Sequence, residues 1–398
     1  MVLKTISIFD KNNHMNKFFS LLSLLALIEI NAQVTLSKTI SIDGATRQYR
    51  LYIPASYDGT KAFPIVFNFH GYGSNNIEQE NYGDFRGIAD TANFLLVHPQ
   101  GLDLGGALGW NTFAPYTVNN YDYTFVSQLL DSLQLKYNTD ESRVYATGMS
   151  NGGFMSYDLA CFMSTRFTAI ASVTGSMIAS HYKACKPERV MPIMEIHGTN
   201  DQTVSYLGNS GSLASTNIDS LVKFWAKLNL CNILPITTNV PDINTADLCT
   251  AEHIVYEPGS KNQAVELYRI IDGGHTWPGS PFASPGVTTN QDFKATNEIW
   301  RFFSQYSIVN QQGGVGDLSK NFNFITNPVE SEIKLTWDKS KEALIQLRDL
   351  SGKLVLEKTI SLGLNTIECE KLESGMYLYS ILQVNESKAL FFGKLYKK

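Results

Sequence analysis

The chain predicts an α/β domain, a mostly parallel sheet with helices on both faces, followed by a small all-β sandwich domain. Three observations carry this. First, the runs PIVFNFH, NFLLVHP, RVYATGMS, FTAIASVTG and PIMEIHG are short and almost continuously apolar. Such runs fit strands buried on both faces of a parallel sheet. Second, stretches with helical spacing, such as FVSQLLDSLQLKY and IDSLVKFWAKL, alternate with them, the order expected of helices covering a sheet. Third, beyond Val309 the pattern changes to short alternating strands, EIKLTW, ALIQLRDL, KLVLEKTI, MYLYSILQV and ALFFGKLY, with Ser-Gly turns, as in a small sandwich.

Taken in order, residues 1–32 read as a signal peptide. Lys17 precedes an apolar run from Phe18 to about Ile30, and small Ala32 stands before Gln33. That run is too short to span a bilayer, so no stable membrane span is implied, and Met15 is an alternative start. Residues 33–308 form the predicted α/β domain. It opens on a β-hairpin, where apolar and polar residues alternate on both sides of Asp43-Gly44. Residues 309–320, rich in Gly, Gln and Asn, read as a linker, and residues 321–398 are the all-β domain. At 398 residues the chain is long for one core, which agrees with two folded units. A net charge of -5 leaves no basic footprint, so nucleic acid is excluded as a partner. The five cysteines suit an oxidising compartment. Neighbour pairing would join Cys161 to Cys185 and Cys231 to Cys249, with Cys369 alone, although four cysteines permit three connectivities.

The chemistry centres on RVYATGMSNGGFMSYDLAC, Arg143 to Cys161. RVYATGM reads as a strand, NGGFMSYDLAC as a helix start, and Ser150 sits at the joint inside Gly148-Met149-Ser150-Asn151-Gly152. This is G-x-S-x-G, the nucleophile elbow of the α/β-hydrolase fold, where bulky neighbours would clash with the adjoining strand and helix. A similar stretch, GNSGS at Gly208, lacks both the last glycine and the strand-turn-helix context. A serine hydroxyl needs an adjacent base, and in this fold the order is serine, acid, histidine. Of seven histidines, only His253 and His275 follow late enough. His253 lies in the alternating run AEHIVYEP and reads as structural, whereas His275 follows Gly273-Gly274 in a turn, so His275 is the predicted base. Asp201, in the turn after PIMEIHG, is the predicted acid, which would hold the imidazole tautomer and stabilise its cation. Asp272 is too close in sequence to His275, and Asp219 falls within a helical stretch. The oxyanion would be bound by the backbone N–H groups of Asn151 and Tyr72, the latter in the loop FHGYGSN, where His70 reads as loop-shaping. Trp110 and Trp277 are candidate substrate-binding walls of the cleft. No HExxH, no C-x-x-C pair and no P-loop appears, so neither a metal nor another cofactor is implied.

The segments HGYGSN, RVYATGMSNGG, HGTNDQTVSY and GGHTWPG, from about Ile65 to Pro278, resemble secreted α/β-hydrolase esterases of the polyhydroxybutyrate depolymerase and feruloyl esterase group, which overlaps carbohydrate esterase family one. The resemblance implies Ser150 as nucleophile, Asp201 as acid and His275 as base, with disulfides near the site. TVSY after the acid departs from relatives, which usually carry a proline there. Residues 321–398 resemble the C-terminal sorting domain of type IX secretion substrates, through NPVESEIKL, RDLSGKLV, LESGMYLYSI and the basic end KLYKK. A carbohydrate-binding module would expose a row of aromatics, but Trp337 is the segment's one tryptophan. The resulting expectation is a secreted serine esterase, extracellular or held at the cell surface, whose partners are the type IX machinery and an ester substrate, xylan-linked or polyester. Feruloyl or acetyl esters of plant polysaccharide lead, with polyhydroxybutyrate as an alternative and a non-catalytic glycan- or surface-binding protein as a reading of another class.

Overall fold

The structure is a computed structural model. It describes residues 33–398 apart from 43, 114–119, 211–213, 260–262, 283–285, 309–321, 325–328, 338–341, 350–351 and 384–388. The signal segment, the linker and Asp43 of the hairpin turn therefore lie outside the described residues. The chain forms two compact units that divide between Ile308 and Val309.

The first unit is built on a ten-stranded sheet. Its strands are β1 (Val34–Ile42), β2 (Ala45–Ile53), β3 (Phe63–Phe69), β4 (Leu95–Pro99), β7 (Thr139–Met149), β8 (Ala169–Val173), β9 (Ile193–Gly198), β10 (Ile236–Asn239), β11 (Thr250–Tyr256) and β12 (Val265–Ile271). A two-stranded ribbon, β5 (Leu102–Asp103) and β6 (Leu108–Gly109), stands apart. The helices are α1 (Asn76–Tyr82), α2 (Arg86–Ala92), α3 (Tyr121–Lys136), α4 (Asn151–Phe162), α5 (Ala179–Ala184), α6 (Ile218–Leu228) and α7 (Ala295–Phe303). The sheet order is β1-β2-β4-β3-β7-β8-β9-β12-β11-β10. The inner run from β4 to β12 is parallel, and antiparallel pairs close both edges.

Every residue of β3, β8 and β9 is buried, the consequence of covering both faces of a parallel sheet. On one face Phe67, Phe69, Ala146 and Ile193 pack with Leu129 of α3 and Trp225 of α6. On the other, Val66, Tyr145, Met194 and Ile196 pack with Ala89 of α2 and Phe302 of α7. Helix α6 shows how the pattern dictates this. Ile218, Leu221, Val222 and Trp225 recur every three or four residues and are fully buried, so one stripe faces the sheet. Burying each such side chain stabilises the fold by roughly 2 kcal/mol. The strands thus deliver their C-terminal ends, and the loops after them, to one edge of the sheet, where an α/β-hydrolase fold assembles its site. Among the described residues no helix is long and apolar enough to cross a membrane.

One of the two guessed disulfides forms. Cys161, near the end of α4, is bonded to Cys185 just after α5. Cys231 and Cys249 stay free, and the topology explains why. The Cys231 thiol lies 3.1 Å from the Gln263 carbonyl, just before β12, whereas Cys249 precedes Thr250, which pairs with Ile271 at the other end of β12. A strand of that length separates them by about 20 Å.

The second unit has two sheets, β13-β14-β17 and β16-β15-β18-β19. Their strands are β13 (Phe322–Phe324), β14 (Glu332–Trp337), β15 (Ala343–Arg348), β16 (Leu354–Ile360), β17 (Gly363–Glu368), β18 (Gly375–Gln383) and β19 (Ala389–Lys397). Residues of β14 and β15 alternate in burial. Ile333, Leu335 and Trp337 from one sheet share a core with Ile345, Leu347 and Ile381 from the other, which makes a sandwich. Trp337 is part of that core and is buried, so it offers no exposed platform.

Candidate active site

Ser150 joins β7 to α4. Its backbone has φ 55° and ψ -120°, and its side chain caps nothing. Serine is a favoured N-cap and normally spends its hydroxyl on the first helical turn, as Asn75, Asn120 and Asn217 spend their side chains on α1, α3 and α6. Here the hydroxyl is left for other use. The positive φ is strained for a residue with a Cβ. The Ser150 N–H donates to the Val173 carbonyl of β8 at 2.8 Å, which holds the turn. The two motif glycines are steric requirements. A Cβ on Gly148 would lie 2.6 Å from the Phe69 carbonyl oxygen, and one on Gly152 only 2.1 Å from it. The helix start is pressed against the end of β3.

That pressure brings the loop after β3 beside the serine. A Cβ on Gly71 would sit 3.4 Å from Ser150 Cβ. The N–H of Asn151 belongs to the first helical turn and has no intrahelical acceptor, and Tyr72 follows Gly71. These are the two expected oxyanion donors. They are tied together through Trp110. The Asn151 side chain accepts from the Trp110 N–H at 2.6 Å and donates to the Trp110 carbonyl at 3.1 Å and to Thr112 Oγ1 at 2.7 Å. The indole N–H of Trp110 in turn donates to the His70 carbonyl at 2.9 Å. Trp110 is 0% exposed, so the expectation that it walls the cleft is corrected. It lies under the loop, where the β5–β6 ribbon inserts it, and cross-links the two donors. His70 is loop-shaping, as expected. Its Nδ1 donates to the Gly71 carbonyl at 2.8 Å and its Nε2 accepts from the Gly101 N–H at 2.9 Å. Burial pushes the ring down to about 4, so it stays neutral in this role.

Asp201 and His275 come together from the loops after β9 and β12. His275 Nδ1 donates to Asp201 Oδ2 at 2.7 Å, which leaves Nε2 to the cleft. Asp201 Oδ1 accepts from the N–H groups of Thr203 and Val204, each at 2.8 Å. Burial alone would raise the Asp201 carboxyl, but hydrogen bonds from His197 and His275 hold it far below the usual carboxylate range. Asp272 is exposed and uses its backbone N–H on Thr199 Oγ1, and Asp219 accepts from the Tyr206 hydroxyl. His253 donates to Glu266 at 2.7 Å and stacks on Tyr268, a structural role.

Ser150 and His275 line one cleft of about 260 Å³, together with Tyr72, Glu78, Tyr82 and Phe282. Trp277 also lines it, although only 3% of the residue is exposed. A larger cavity of about 590 Å³ shares Tyr82, Trp277 and Phe282 and adds Asn81, Arg86, Lys294 and Asn297. Among the described residues no group of His, Cys, Asp and Glu is placed to hold a metal ion. Sequence reasoning passed over His197 and Glu195, which sit buried behind Asp201. Their spacing of two on one strand was the available signal.

Residues 41–226 match the family model described as "Putative esterase", and residues 326–391 match the secretion system C-terminal sorting domain. Among curated relatives, a bifunctional acetylxylan esterase/xylanase of Neocallimastix patriciarum is 25% identical over 67% of this chain and 34% of its own length. Feruloyl esterase C of Emericella nidulans is 31% identical over 44% of this chain and 62% of its own length. The chain thus spans about a third of the first and under two thirds of the second. An acetyl xylan esterase from Aspergillus awamori aligns at 15% identity and TM-score 0.48, over 61% of this chain and 94% of that one. The first unit is thus similar to esterases over residues 41–226, and the C-terminal domain matches a sorting domain for type IX secretion.

Proposed function

We propose that the first unit hydrolyses carboxylic esters through a serine acyl-enzyme, with feruloyl or acetyl esters of plant polysaccharide as substrates. The observation that carries this is the cleft itself: an uncommitted Ser150 hydroxyl and the free edge of His275 face one space, while Asp201 holds the other ring nitrogen. In the first step Ser150 Oγ bonds to the carbonyl carbon as its proton passes to His275 Nε2. The carbonyl electron pair moves onto oxygen, where the N–H groups of Tyr72 and Asn151 receive it. Collapse expels the alcohol, which takes the proton back from His275. Water then repeats the sequence, and the acid leaves Ser150 free. The leaving oxygen is protonated by His275, so the alcohol lies on the His275 side of Ser150. The larger cavity shares Trp277, two residues from His275, with the cleft. Its mix of rings and polar side chains suits a hydroxyl-rich alcohol, in keeping with relatives named for acetylxylan and feruloyl esters.

Initial rates of the full chain on methyl ferulate, acetylated xylan and a polyhydroxybutyrate suspension, with Ser150→Ala as blank, test this reading. Ser150-dependent turnover of either of the first two supports it. Turnover confined to the polyester would replace the substrate class, and silence on all three from folded protein would move the weight to a binding role.

A further inference from the structure

Strand β9 carries Glu195 and His197 two residues apart, hence on one side of the strand, and both are 0% exposed. His197 Nδ1 lies 2.9 Å from Glu195 Oε1. Its Nε2 lies 2.8 Å from the Val204 carbonyl oxygen and 3.4 Å from Asp201 Oδ2, the oxygen that holds His275. Both ring nitrogens therefore face oxygen atoms. A carbonyl only accepts, so Nε2 carries a hydrogen. The remaining question is whether the proton between Nδ1 and Glu195 belongs to the ring or to the acid. Burial pushes the Glu195 carboxyl up, but the Tyr157 hydroxyl donates to its Oε2 at 2.9 Å and His197 Nδ1 lies 2.9 Å from its Oε1, and donors on both oxygens favour the ionised carboxylate. The ring is then a cation between two carboxylates.

We propose that His197 is a cationic positioning residue, whose imidazolium is clamped between Glu195 and Asp201 so that it fixes the Asp201 carboxylate and weakens the hold of that carboxylate on the proton of His275. The inference rests on the assignment of Asp201 and His275 as acid and base. Its physical content is simple. Asp201 stabilises a protonated His275 by its negative charge, and a second positive charge beside the same oxygen offsets part of that field. The base is then unprotonated, and the enzyme active, at lower pH than an unopposed Asp–His pair would allow. Burial alone would push His197 down, but hydrogen bonds to Asp201 and Glu195 outweigh it and raise the ring to about 9. The groups that face it are Glu195 on its own strand, Asp201 and Val204 from the following loop, and the Tyr206 ring edge-on at 5.9 Å. Tyr157 of α4 reaches it through Glu195, and His275 through Asp201. Arg269 of β12 bonds the Tyr206 hydroxyl.

Two measurements on the full chain decide the matter. In the first, the pH dependence of kcat/KM for p-nitrophenyl acetate is compared between wild type and His197→Gln, which keeps a donor but no charge. The acid limb should move up by half a pH unit or more, with KM little changed. An acid limb that stays in place overturns the proposal. The second does not depend on the variant folding. Nitrogen NMR of wild-type protein labelled at histidine reads the charge of each ring directly, with His197→Gln or His197→Asn used only for assignment where it folds. A buried ring with both nitrogens protonated at neutral pH is expected, and one bare nitrogen on His197 overturns the proposal. If the wild type turns over no ester, the serine-esterase reading fails by itself, while the NMR result still decides the charge of His197.

Discussion

Replacing Trp110 by phenylalanine separates a scaffold role from a cleft-wall role. The new ring can keep the edge-on contact with Phe69, now 5.1 Å between ring centres, but it has no N–H for the His70 carbonyl. His70 is fully buried, so that carbonyl oxygen is left without a partner, at a cost of about 1–3 kcal/mol. The smaller ring also leaves a void of roughly 40 Å³, worth about 1 kcal/mol. Urea denaturation followed by circular dichroism should therefore show a loss of roughly 2–4 kcal/mol. Because the indole holds the loop that presents Tyr72 N–H, kcat on p-nitrophenyl acetate should fall about tenfold, the equivalent of about 1.4 kcal/mol of transition-state stabilisation. KM should stay within about twofold, since the ring touches no substrate. A folded variant with unchanged kcat would refute the scaffold argument. A raised KM at unchanged kcat would restore Trp110 to the cleft.

Gly152→Ala would drive a Cβ to 2.1 Å from the Phe69 carbonyl oxygen, a clash with backbone that has no flexible end to yield, so it should lower stability by about 3 kcal/mol. A wild-type urea midpoint would contradict this. Reduction of Cys161–Cys185, which closes a loop with a sequence separation of 24, should remove about 3.5 kcal/mol on the chain-entropy model, and an unchanged midpoint in reductant would count against it. Acid should destabilise the fold in a defined window. Burial pushes His70 and His98 down from 6.5 to about 4, so the unfolded chain takes up protons that the native state refuses. Their contribution is full above pH 6.5 and is lost as pH falls towards 4, up to about 3 kcal/mol each. His197 acts at the other end. Raised to about 9, it contributes stability below pH 6.5 that is lost as pH rises through 9. Melting temperatures that stay level between pH 7 and 4.5 would refute the acid-side claim.

Much of this was legible in the sequence because single residues answer to local constraints. Strands β3, β8 and β9 read as continuous apolar runs since both their faces are covered. Gly148 and Gly152 are readable because no other residue fits against Phe69. Asp201 and His275 were singled out by chain order and turn context, and the structure brings them together. The misses share a different cause. Trp110 looked like a cleft wall because a tryptophan in a Gly-rich loop gives no hint of which side of the loop it occupies, and that is decided by the ribbon β5–β6. Cys231 and Cys249 are close in sequence, but the antiparallel run of β11 along β12 carries them to opposite ends. His197 was hidden in a run whose apolar character predicted a buried strand and drew attention away from its two titratable members.

The central claim is that Ser150 is the nucleophile of an ester hydrolase. Turnover of p-nitrophenyl acetate by full-length Ser150→Ala beside the wild type, with folding checked by circular dichroism, tests it most directly. The account predicts a fall in kcat of at least about 10³-fold with the fold intact. A folded Ser150→Ala protein that keeps turnover within about tenfold of the wild type, a difference under about 1.4 kcal/mol, would contradict it.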